Sequence, residues 1–338
     1  MAGNSNLHMS RSGKTDEFYT QLDTIEDELR HYRQYFRDKV IFCNADDPAI
    51  GEDGQDHFGD GLGGYVSNFF RYFQLNFYQL GLKKLITTHY VPEGASYKFE
   101  IVRSGNGTQA EPPEYVRTPL QGNGDFRSPE CLALLQECDV VVTNPPFSLM
   151  KEYLPLMVHS GKYFLVLGNI NHAMYVETFS YFKENKVWLG YNNGHFWFRV
   201  PDYYQAKGTD YKVDGDGKKW RRMGNICWFT NLDIDKRHQP LNLYKRYTPE
   251  EYPTYDTYDA IECGKYSEIP MDTDKLIGVP ITYLAYHCPE QFEIVGEFKH
   301  GCDSEFDLAV PIVDGKAKFT RVAIKRLNYN PEETVYEN

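Results

Sequence analysis

The chain has 338 residues, a formal net charge of −12 and 41% hydrophobic residues. This composition excludes a mainly disordered chain, and the negative charge argues against a uniformly basic nucleic-acid binder, whose phosphate contacts need Lys and Arg. No apolar run approaches the ~20 residues of a membrane helix, residues 1–14 lack the apolar stretch of a signal peptide, and the seven Cys form no metal motif, so we expect a cytoplasmic protein without a metal site.

The first predicted element is an amphipathic helix, because apolar side chains recur at helical spacing at Leu22, Ile25, Leu29, Tyr32 and Phe36. A buried strand is predicted at residues 39–43. Ser67 is a typical N-cap for a helix over residues 68–80, and Gly81 ends it. Strands are predicted next at residues 84–89 and 97–102, the second within a segment rich in Gly and Pro.

Helices and strands continue to alternate in the middle of the chain. Ser128 followed by Pro129 predicts a helix start, and a buried strand is predicted at residues 139–142. A helix from residue 148, a strand at 163–167, a helix near 174–183 and a strand at 187–189 follow. Strands that are apolar on both faces and alternate with helices predict an α/β fold with a mostly parallel sheet covered by helices.

The pattern changes after about residue 235, where Tyr and Pro become frequent. Short strands are predicted at residues 292–296 and 322–325. We therefore expect a second, smaller region with a mixed, β-rich structure.

Three segments follow predicted strands at the edge where open parallel sheets bind ligands, beyond the carboxyl ends of the strands. These segments are residues 44–48, 124–126 and 144–147. We expect them to meet in one site.

The most informative of these segments is Asn144-Pro145-Pro146-Phe147, which ends a core strand in a rigid turn. Pro146 restricts Pro145 to an extended conformation, which fixes the direction of its carbonyl. That carbonyl and the Asn144 side-chain carbonyl can accept the two hydrogens of an amino group, and Phe147 offers a ring face to a planar base. Accepting both hydrogens makes an aromatic amine a better nucleophile, which suits in-line attack on an activated methyl group. Asn-Pro-Pro also occurs in ordinary turns.

The turn resembles the catalytic motif of amino-methyltransferases that use S-adenosylmethionine, and the chain as a whole resembles the EcoRI-type adenine-specific DNA methyltransferases. The segments that carry the resemblance span nearly the whole chain: DEFYTQ (16–21), CNADDP (43–48), SNFF (67–70), NICWFTNL (225–232), GVPIT (278–282) and PEQFEI (289–294). The resemblance implies a Rossmann-like sheet with helices on both faces. It also implies a catalytic and cofactor-binding domain over residues 1–235 and a DNA target-recognition region over residues 236–338.

Residue by residue, the resemblance implies a catalytic turn formed by Asn144, Pro145, Pro146 and Phe147. It implies an S-adenosyl-L-methionine site with three parts: Phe18, Tyr19 and Thr20 at the methionine moiety, Asn44, Asp46, Asp47 and Pro48 at the ammonium and sugar, and Asp125 and Phe126 at the adenine. The substrate would be a flipped adenine in double-stranded DNA. The enzyme would serve restriction–modification, without physical contact to a cognate endonuclease being required.

Two features depart from the family pattern. An acidic, Gly-rich insertion at residues 49–66 stands where many methyltransferases have a Gly-x-Gly loop. The predicted second strand ends in His89-Tyr90 and lacks the acidic residue that often binds the cofactor ribose.

Because the chain is acidic overall, we expect it to contact DNA where basic residues are concentrated. Two clusters meet this condition: Lys218, Lys219, Arg221 and Arg222, and Lys316, Lys318, Arg321, Lys325 and Arg326. If residues 322–324 form a strand, the second cluster is divided between two faces, and only part of it can contact phosphate.

Other functions remain open from the residues alone. RNA or protein-glutamine amino-methyltransferases would also use Asn-Pro-Pro, and a non-catalytic nucleic-acid-binding relative of the fold is a third alternative. The DEFYTQ segment and the long distal region favour DNA. The intact Asn144-Pro145 pair favours an enzyme.

Overall fold

A computed structural model describes residues 20–44, 67–94, 96–105, 112–200, 204, 209–301 and 303–328. The predicted cofactor residues Phe18, Tyr19, Asp46, Asp47 and Pro48, and the 49–66 insertion, lie outside the described residues. The described chain divides into two units: residues 20–169 with 190–232, and residues 170–189 with 233–328. Residues 170–189 thus belong to the second unit, although the alternation of helices and strands predicts them in the first domain.

The first unit is organised around one large sheet. Its strands are β1 (Val40–Cys43), β2 (Lys84–Thr88), β3 (Tyr97–Val102), β4 (Glu114–Pro119), β5 (Val140–Thr143), β6 (Tyr163–Asn169), β7 (Trp188–Arg199), β8 (Tyr211–Val213) and β9 (Lys219–Thr230). The order is β4-β3-β2-β1-β5-β6-β9-β7, and β8 pairs with β9.

The sheet is mixed, whereas the sequence pattern predicts a mostly parallel one. The four central strands β2, β1, β5 and β6 pair in parallel. Strands β3 and β4 on one side and β9 on the other pair antiparallel with their neighbours. The prediction is wrong at both flanks. Strands β3 and β4 pair antiparallel because the chain turns back there without a crossover helix.

The helices of the first unit are α1 (Leu22–Leu29), α2 (Asn68–Leu75), α3 (Pro129–Glu137) and α4 (Met150–Ser160). The predicted N-caps are confirmed, because Ser67 Oγ accepts from the Phe69 amide at 3.1 Å and Ser128 Oγ accepts from the Cys131 amide at 3.2 Å. Helix α1 is shorter than predicted and continues as a 3₁₀ helix over Arg30–Tyr35. The predicted apolar stripe is nevertheless buried from Ile25 to Phe36.

The second unit contains helix α5 (Val176–Lys183) and short strands. These are β10 (Ile261–Glu262), β11 (Ile277–Pro280), β12 (Phe292–Phe298), β13 (Asp307–Ala309), β14 (Ile312–Val313), β15 (Lys316–Ala317) and β16 (Arg321–Arg326). Five of them form a mixed sheet in the order β10-β11-β16-β12-β13, and β14 and β15 form a separate hairpin. Across both units, the helices in the described residues are too short or too polar to cross a membrane.

A buried carboxylate joins helix α1 to strand β7 in the first unit. Glu28 is fully buried and accepts hydrogen bonds from the Tyr32 hydroxyl at 2.8 Å, the Tyr191 amide at 2.8 Å and the Asn192 amide at 2.7 Å. Gly190 lies beside it, where a Cβ atom would overlap the carboxylate. The contact therefore holds the helix that follows the DEFYTQ segment against the sheet.

We predict that Glu28→Ala lowers the free energy of unfolding by about 2 kcal/mol or more. The substitution leaves the amides of Tyr191 and Asn192 without this acceptor, and each buried unsatisfied group costs about 1–3 kcal/mol. Urea denaturation followed by circular dichroism measures the change. The matched control is Glu26→Ala, an exposed position on the same helix, which should stay within about 0.5 kcal/mol of the parent. Parent-like stability of Glu28→Ala would contradict this role.

Candidate active site

Strands β1 and β5 form the part of the sheet where the sequence predicts a site. Strand β1 lies between β2 and β5 and is parallel to both. The chain continues from β1 to β2 on one side, and later reaches β5 on the opposite side of β1. This reversal of direction across the sheet is a topological switch point, where open parallel sheets bind ligands beyond the carboxyl ends of the strands. Asn44 directly follows β1 and Asn144 directly follows β5, so two of the three predicted segments lie at the switch point.

A side-chain hydrogen bond ties the two strand ends together. The buried Thr143 hydroxyl, at the end of β5, donates to the Asn44 carbonyl at 2.6 Å. The turn after β1 is therefore attached to the last residue before the Asn144-Pro145 pair.

The predicted catalytic turn is well packed. Asn144 and Pro146 are half-buried, whereas Pro145 is buried. Pro146 has an extended backbone with φ −57° and ψ 121°, and its carbonyl accepts from the Leu149 amide at 3.0 Å, which starts a 3₁₀ turn over Phe147–Leu149. Phe147 is only 7% exposed, so only a small part of its ring is accessible for stacking.

Tyr153 on helix α4 connects parts of the candidate site, although no sequence motif indicates it. Its hydroxyl donates to Asn44 Oδ1, and its ring lies edge-on to Phe126 with the centroids 5.0 Å apart. Tyr153 is fully buried, and Phe126 is 6% exposed. One side chain thus holds two of the predicted cofactor segments beside the helix that follows the catalytic turn. The sequence does place Tyr153 near the turn, six residues after Phe147 in the predicted helix. A Tyr within a helix usually packs in the core, however, so this position alone does not indicate a site residue.

The loop that carries Asp125 and Phe126 is held from both sides. The Glu130 carboxylate accepts from the Gln121 amide at 2.9 Å and the Gly122 amide at 2.8 Å. Gly124 has φ +80°, and a Cβ atom there would overlap the carbonyl oxygen of His89, just beyond strand β2. Glycine permits both this backbone conformation and this close approach. The predicted segment at residues 124–126 therefore lies against the end of β2.

Asp125 is held by an arginine of its own loop. Arg127 Nη2 lies 2.8 Å from Asp125 Oδ2, and Arg127 Nη1 lies 2.7 Å from Glu152 Oε2 on α4. The hydrogen bond from Arg127 lowers the pKa of Asp125 below its ordinary value. Asp125 is therefore a charged acceptor at neutral pH, in a loop that is tied to α4.

Thr20 is the one described residue of the predicted methionine-binding segment. Its carbonyl accepts from Asn68 Nδ2 at 2.7 Å, which connects it to the start of helix α2. Its hydroxyl oxygen is buried and has no hydrogen-bond partner within the described ranges. Buried polar atoms are almost always hydrogen-bonded, so this hydroxyl fits a position next to a polar ligand.

The first basic cluster lies on strand β9 and just before it. Lys218 and Arg222 are exposed, whereas Lys219 and Arg221 are half-buried. Lys219 Nζ donates to the Tyr204 carbonyl at 3.2 Å, and Arg222 Nη1 lies 4.0 Å from Asp210 Oδ1. Strand alternation places Lys219 and Arg221 on one face and Arg222 on the other.

The same ribbon carries a further cation that the sequence analysis did not select. Lys212 on β8 is directly opposite Trp220, and its Nζ lies 4.4 Å from the ring centroid of Trp197. Lys212 is exposed. It adds positive charge to the face of the ribbon that carries Arg222.

The second basic cluster is divided by the sheet of the second unit, as alternation predicts. Arg321, an expected phosphate contact, is 9% exposed, and its Nη2 lies 2.7 Å from Glu262 Oε1. The Arg326 guanidinium donates to the Met271 carbonyl, and Lys325 lies directly opposite Glu293. Lys316 on β15 and Lys325 on β16 are exposed, and Lys318 between these two strands is half-buried. We therefore remove Arg321 from the set of proposed DNA contacts, because its guanidinium is buried and paired with Glu262.

Known proteins resemble this chain over almost its full length. A family model described as "Adenine-specific methyltransferase EcoRI" matches residues 6–335. Type II methyltransferase M.EcoRI of Escherichia coli is 42% identical, over 96% of this chain and 97% of that protein. Type II methyltransferase M.MgeORF184P of Mycoplasma genitalium is 36% identical, over 95% and 98%. Type II methyltransferase M.MpnI of Mycoplasma pneumoniae is 37% identical, over 86% and 84%.

The family match spans the predicted catalytic turn, all three predicted cofactor segments and the second unit. The relatives align with most of this chain and most of their own length. The resemblance that the motifs indicate is thus confirmed, and the chain belongs to the EcoRI family of adenine-specific methyltransferases.

Proposed function

We propose that the chain is a site-specific DNA methyltransferase that transfers a methyl group from S-adenosyl-L-methionine to the exocyclic amine of a flipped adenine. The observation that carries the proposal is the Asn144-Pro145-Pro146-Phe147 turn, attached through Thr143 to Asn44 at the switch point of the sheet. Membership in an adenine-specific methyltransferase family supports the same substrate. The relatives are named Type II methyltransferases, which supports a place in restriction–modification.

The described residues fit the proposed cofactor. S-adenosyl-L-methionine supplies an activated methyl group when bound. The Thr20 hydroxyl, Asn44 and the loop of Asp125 and Phe126 would hold its methionine, sugar and adenine moieties, respectively. The buried Thr20 hydroxyl without a partner in the described ranges and the ionised Asp125 both suit a ligand with several polar groups. The four parallel strands with a reversal at β1 and β5 support a Rossmann-like arrangement around it.

The turn would activate the amine by hydrogen bonding. The side-chain carbonyl of Asn144 and the backbone carbonyl of Pro145 would accept the two amine hydrogens, and Phe147 would contact the base. These acceptors stabilise the positive charge that develops on nitrogen during in-line attack. The proton leaves after transfer, so no strong base is required in the site.

The adenine must leave the duplex to reach this turn, because a paired base is stacked within the helix. Extrusion costs a few kcal/mol, which contacts in the pocket offset. We propose that residues 236–338 contribute target recognition and that Lys218, Lys219, Arg221, Arg222, Lys316, Lys318, Lys325 and Arg326 supply the candidate phosphate contacts.

We predict that Asn144→Ala lowers methyl transfer to duplex DNA by a factor of roughly 10²–10³ or more, because one preorganised acceptor is lost. Cofactor affinity, measured by calorimetry, should be nearly unchanged. Tritiated methyl transfer to duplex DNA, RNA and protein, with mapping of the methylated base, tests the activity and its substrate together.

The control for this experiment is Lys151→Ala, an exposed residue on α4, which should retain parent activity. A folded Asn144→Ala protein with near-parent turnover would contradict the role of the turn. Transfer to RNA or protein but not to DNA would contradict the proposed substrate.

We predict that Tyr153→Phe weakens cofactor binding roughly 10-fold, because a buried acceptor left unpaired costs about 1–3 kcal/mol and Asn44 is then less firmly held. The ring remains and can still pack against Phe126. Calorimetry with S-adenosyl-L-methionine measures the affinity. The matched control is Tyr181→Phe in the second unit, which removes a hydroxyl that donates to Glu177 at 2.8 Å and should leave the affinity unchanged. Equal affinities in all three proteins would refute the positioning role of Tyr153.

We predict that the two faces of strand β9 differ in their contribution to DNA affinity. Replacing the exposed pair Lys218 and Arg222 with Ala should reduce the slope of log affinity against log salt by up to roughly 2, since each phosphate contact contributes about 0.9. Replacing the half-buried pair Lys219 and Arg221 should change it less. Fluorescence anisotropy with labelled duplexes of two sequences measures both, and the loss should be similar for each sequence because phosphate contacts carry no sequence information. Parent-like slopes in both double variants would place the contact elsewhere.

A further inference from the structure

The second unit exposes an aromatic ring. Phe319 is 90% exposed, more than any other large hydrophobic side chain in the described part of the chain; Leu75 follows at 71%. Phe319 lies between strand β15 and strand β16, next to Lys318. Full burial of such a side chain is worth about 1.5–3 kcal/mol, so a partner that covers the ring gains binding energy.

The backbone beneath this ring is held by a buried ion pair. Arg321 Nη1 donates to the Phe319 carbonyl at 2.9 Å and to the Thr320 carbonyl at 3.4 Å. The same guanidinium is paired with Glu262, which also accepts from the buried Tyr255 hydroxyl. Arg321 thus ties the segment of Phe319 to the core of the unit. Binding at such a site loses less conformational entropy than binding at a loose loop.

The other end of the segment is also attached. The Lys318 amide donates to the Pro311 carbonyl at 2.7 Å, and the Asp256 carboxylate accepts from the Gly315 amide at 2.8 Å. Asp314 and Gly315 both have positive φ, at 51° and 70°, and form the turn of the β14–β15 hairpin. Residues 316–320 therefore form a short segment, anchored at both ends, that presents Lys316, Lys318 and Phe319.

The chemistry of this segment fits one class of partner. Lys316 and Lys318 carry positive charge, and Phe319 carries an apolar aromatic face. Phosphates paired with cations, together with bases that stack on an aromatic ring, are the two contacts that a nucleic acid offers side by side. Apolar wedges beside basic residues are used by DNA-binding proteins to enter base steps of a duplex.

We propose that residues 316–320 form a DNA-contacting tip in which Phe319 inserts against the bases of the duplex while Lys316 and Lys318 contact the flanking phosphates. The proposal rests on the proposed function, since it takes duplex DNA as the substrate. It assigns a role to a residue outside the basic clusters and explains why Arg321 is buried: it supports the tip from within the unit.

Duplex affinity measured by fluorescence anisotropy over a range of salt concentrations tests the proposal. Phe319→Ala should weaken binding roughly 5- to 100-fold, the range found when one stacking ring is lost, without changing the salt slope. Lys316→Ala and Lys318→Ala should each reduce the slope by about 0.9. Phe319→Trp should restore parent affinity because it retains an aromatic face. The control Leu75→Ala removes an exposed apolar side chain from helix α2 and should bind as the parent does.

Parent affinity in Phe319→Ala, with the melting temperature unchanged, would overturn the proposal. Sedimentation of the DNA-free protein tests whether Phe319 instead contacts a second copy of the chain. Self-association that is lost in Phe319→Ala, together with unchanged DNA affinity, would show such a contact and also overturn the proposal. The parent protein could bind duplex DNA through Phe319 and yet fail to methylate it. That result would support the DNA-contacting tip and contradict only the proposed function.

Discussion

The attachment of Asn44 at two points is the constraint on which the candidate site depends. Its carbonyl accepts from Thr143 at the end of β5, and its side chain accepts from Tyr153 on the next helix. Because Thr143 directly precedes the catalytic turn, a shift of either strand would move the proposed cofactor loop and the amine acceptors together. In the proposed function, the register of the parallel strands β1 and β5 would thereby set the distance between the methyl donor and the groups that accept the amine hydrogens. A methyltransferase needs this coupling, since in-line transfer tolerates little misalignment.

The charges of the chain serve two separate purposes. Some arginines are paired with carboxylates: Arg127, at the surface, holds Asp125 and Glu152, and the buried Arg321 pairs with Glu262 in the second unit. Among the proposed phosphate contacts, the exposed cations lie on the β8–β9 ribbon or next to it, at Lys316 and at Lys325. Contacts between these cations and phosphates, as proposed above, would orient the protein on the duplex.

Much of the local structure followed from residues that are close in sequence. Ser67 and Ser128 cap helices as predicted, because a cap is a contact with an amide two or three residues away. The strand before Asn144 ends where two prolines remove the donors that a ladder needs. The length of α1 and the mixed flanks of the sheet differed from prediction, because a 3₁₀ continuation and the pairing partner of a strand depend on packing with distant segments.

The sequence by itself determined the family, the rigid turn at Asn144-Pro145-Pro146 and the apolar core positions of the first helix, since motif order, proline stereochemistry and helical periodicity are properties of neighbouring residues. Only the tertiary structure decided that Tyr153 reaches Asn44 across 109 positions, that Arg321 is buried against Glu262, and that Phe319 is exposed. A sequence shows that an arginine or an aromatic ring is present. Which face it occupies, and which distant group it meets, is set by strand order and register, and these are fixed only when the whole sheet is assembled.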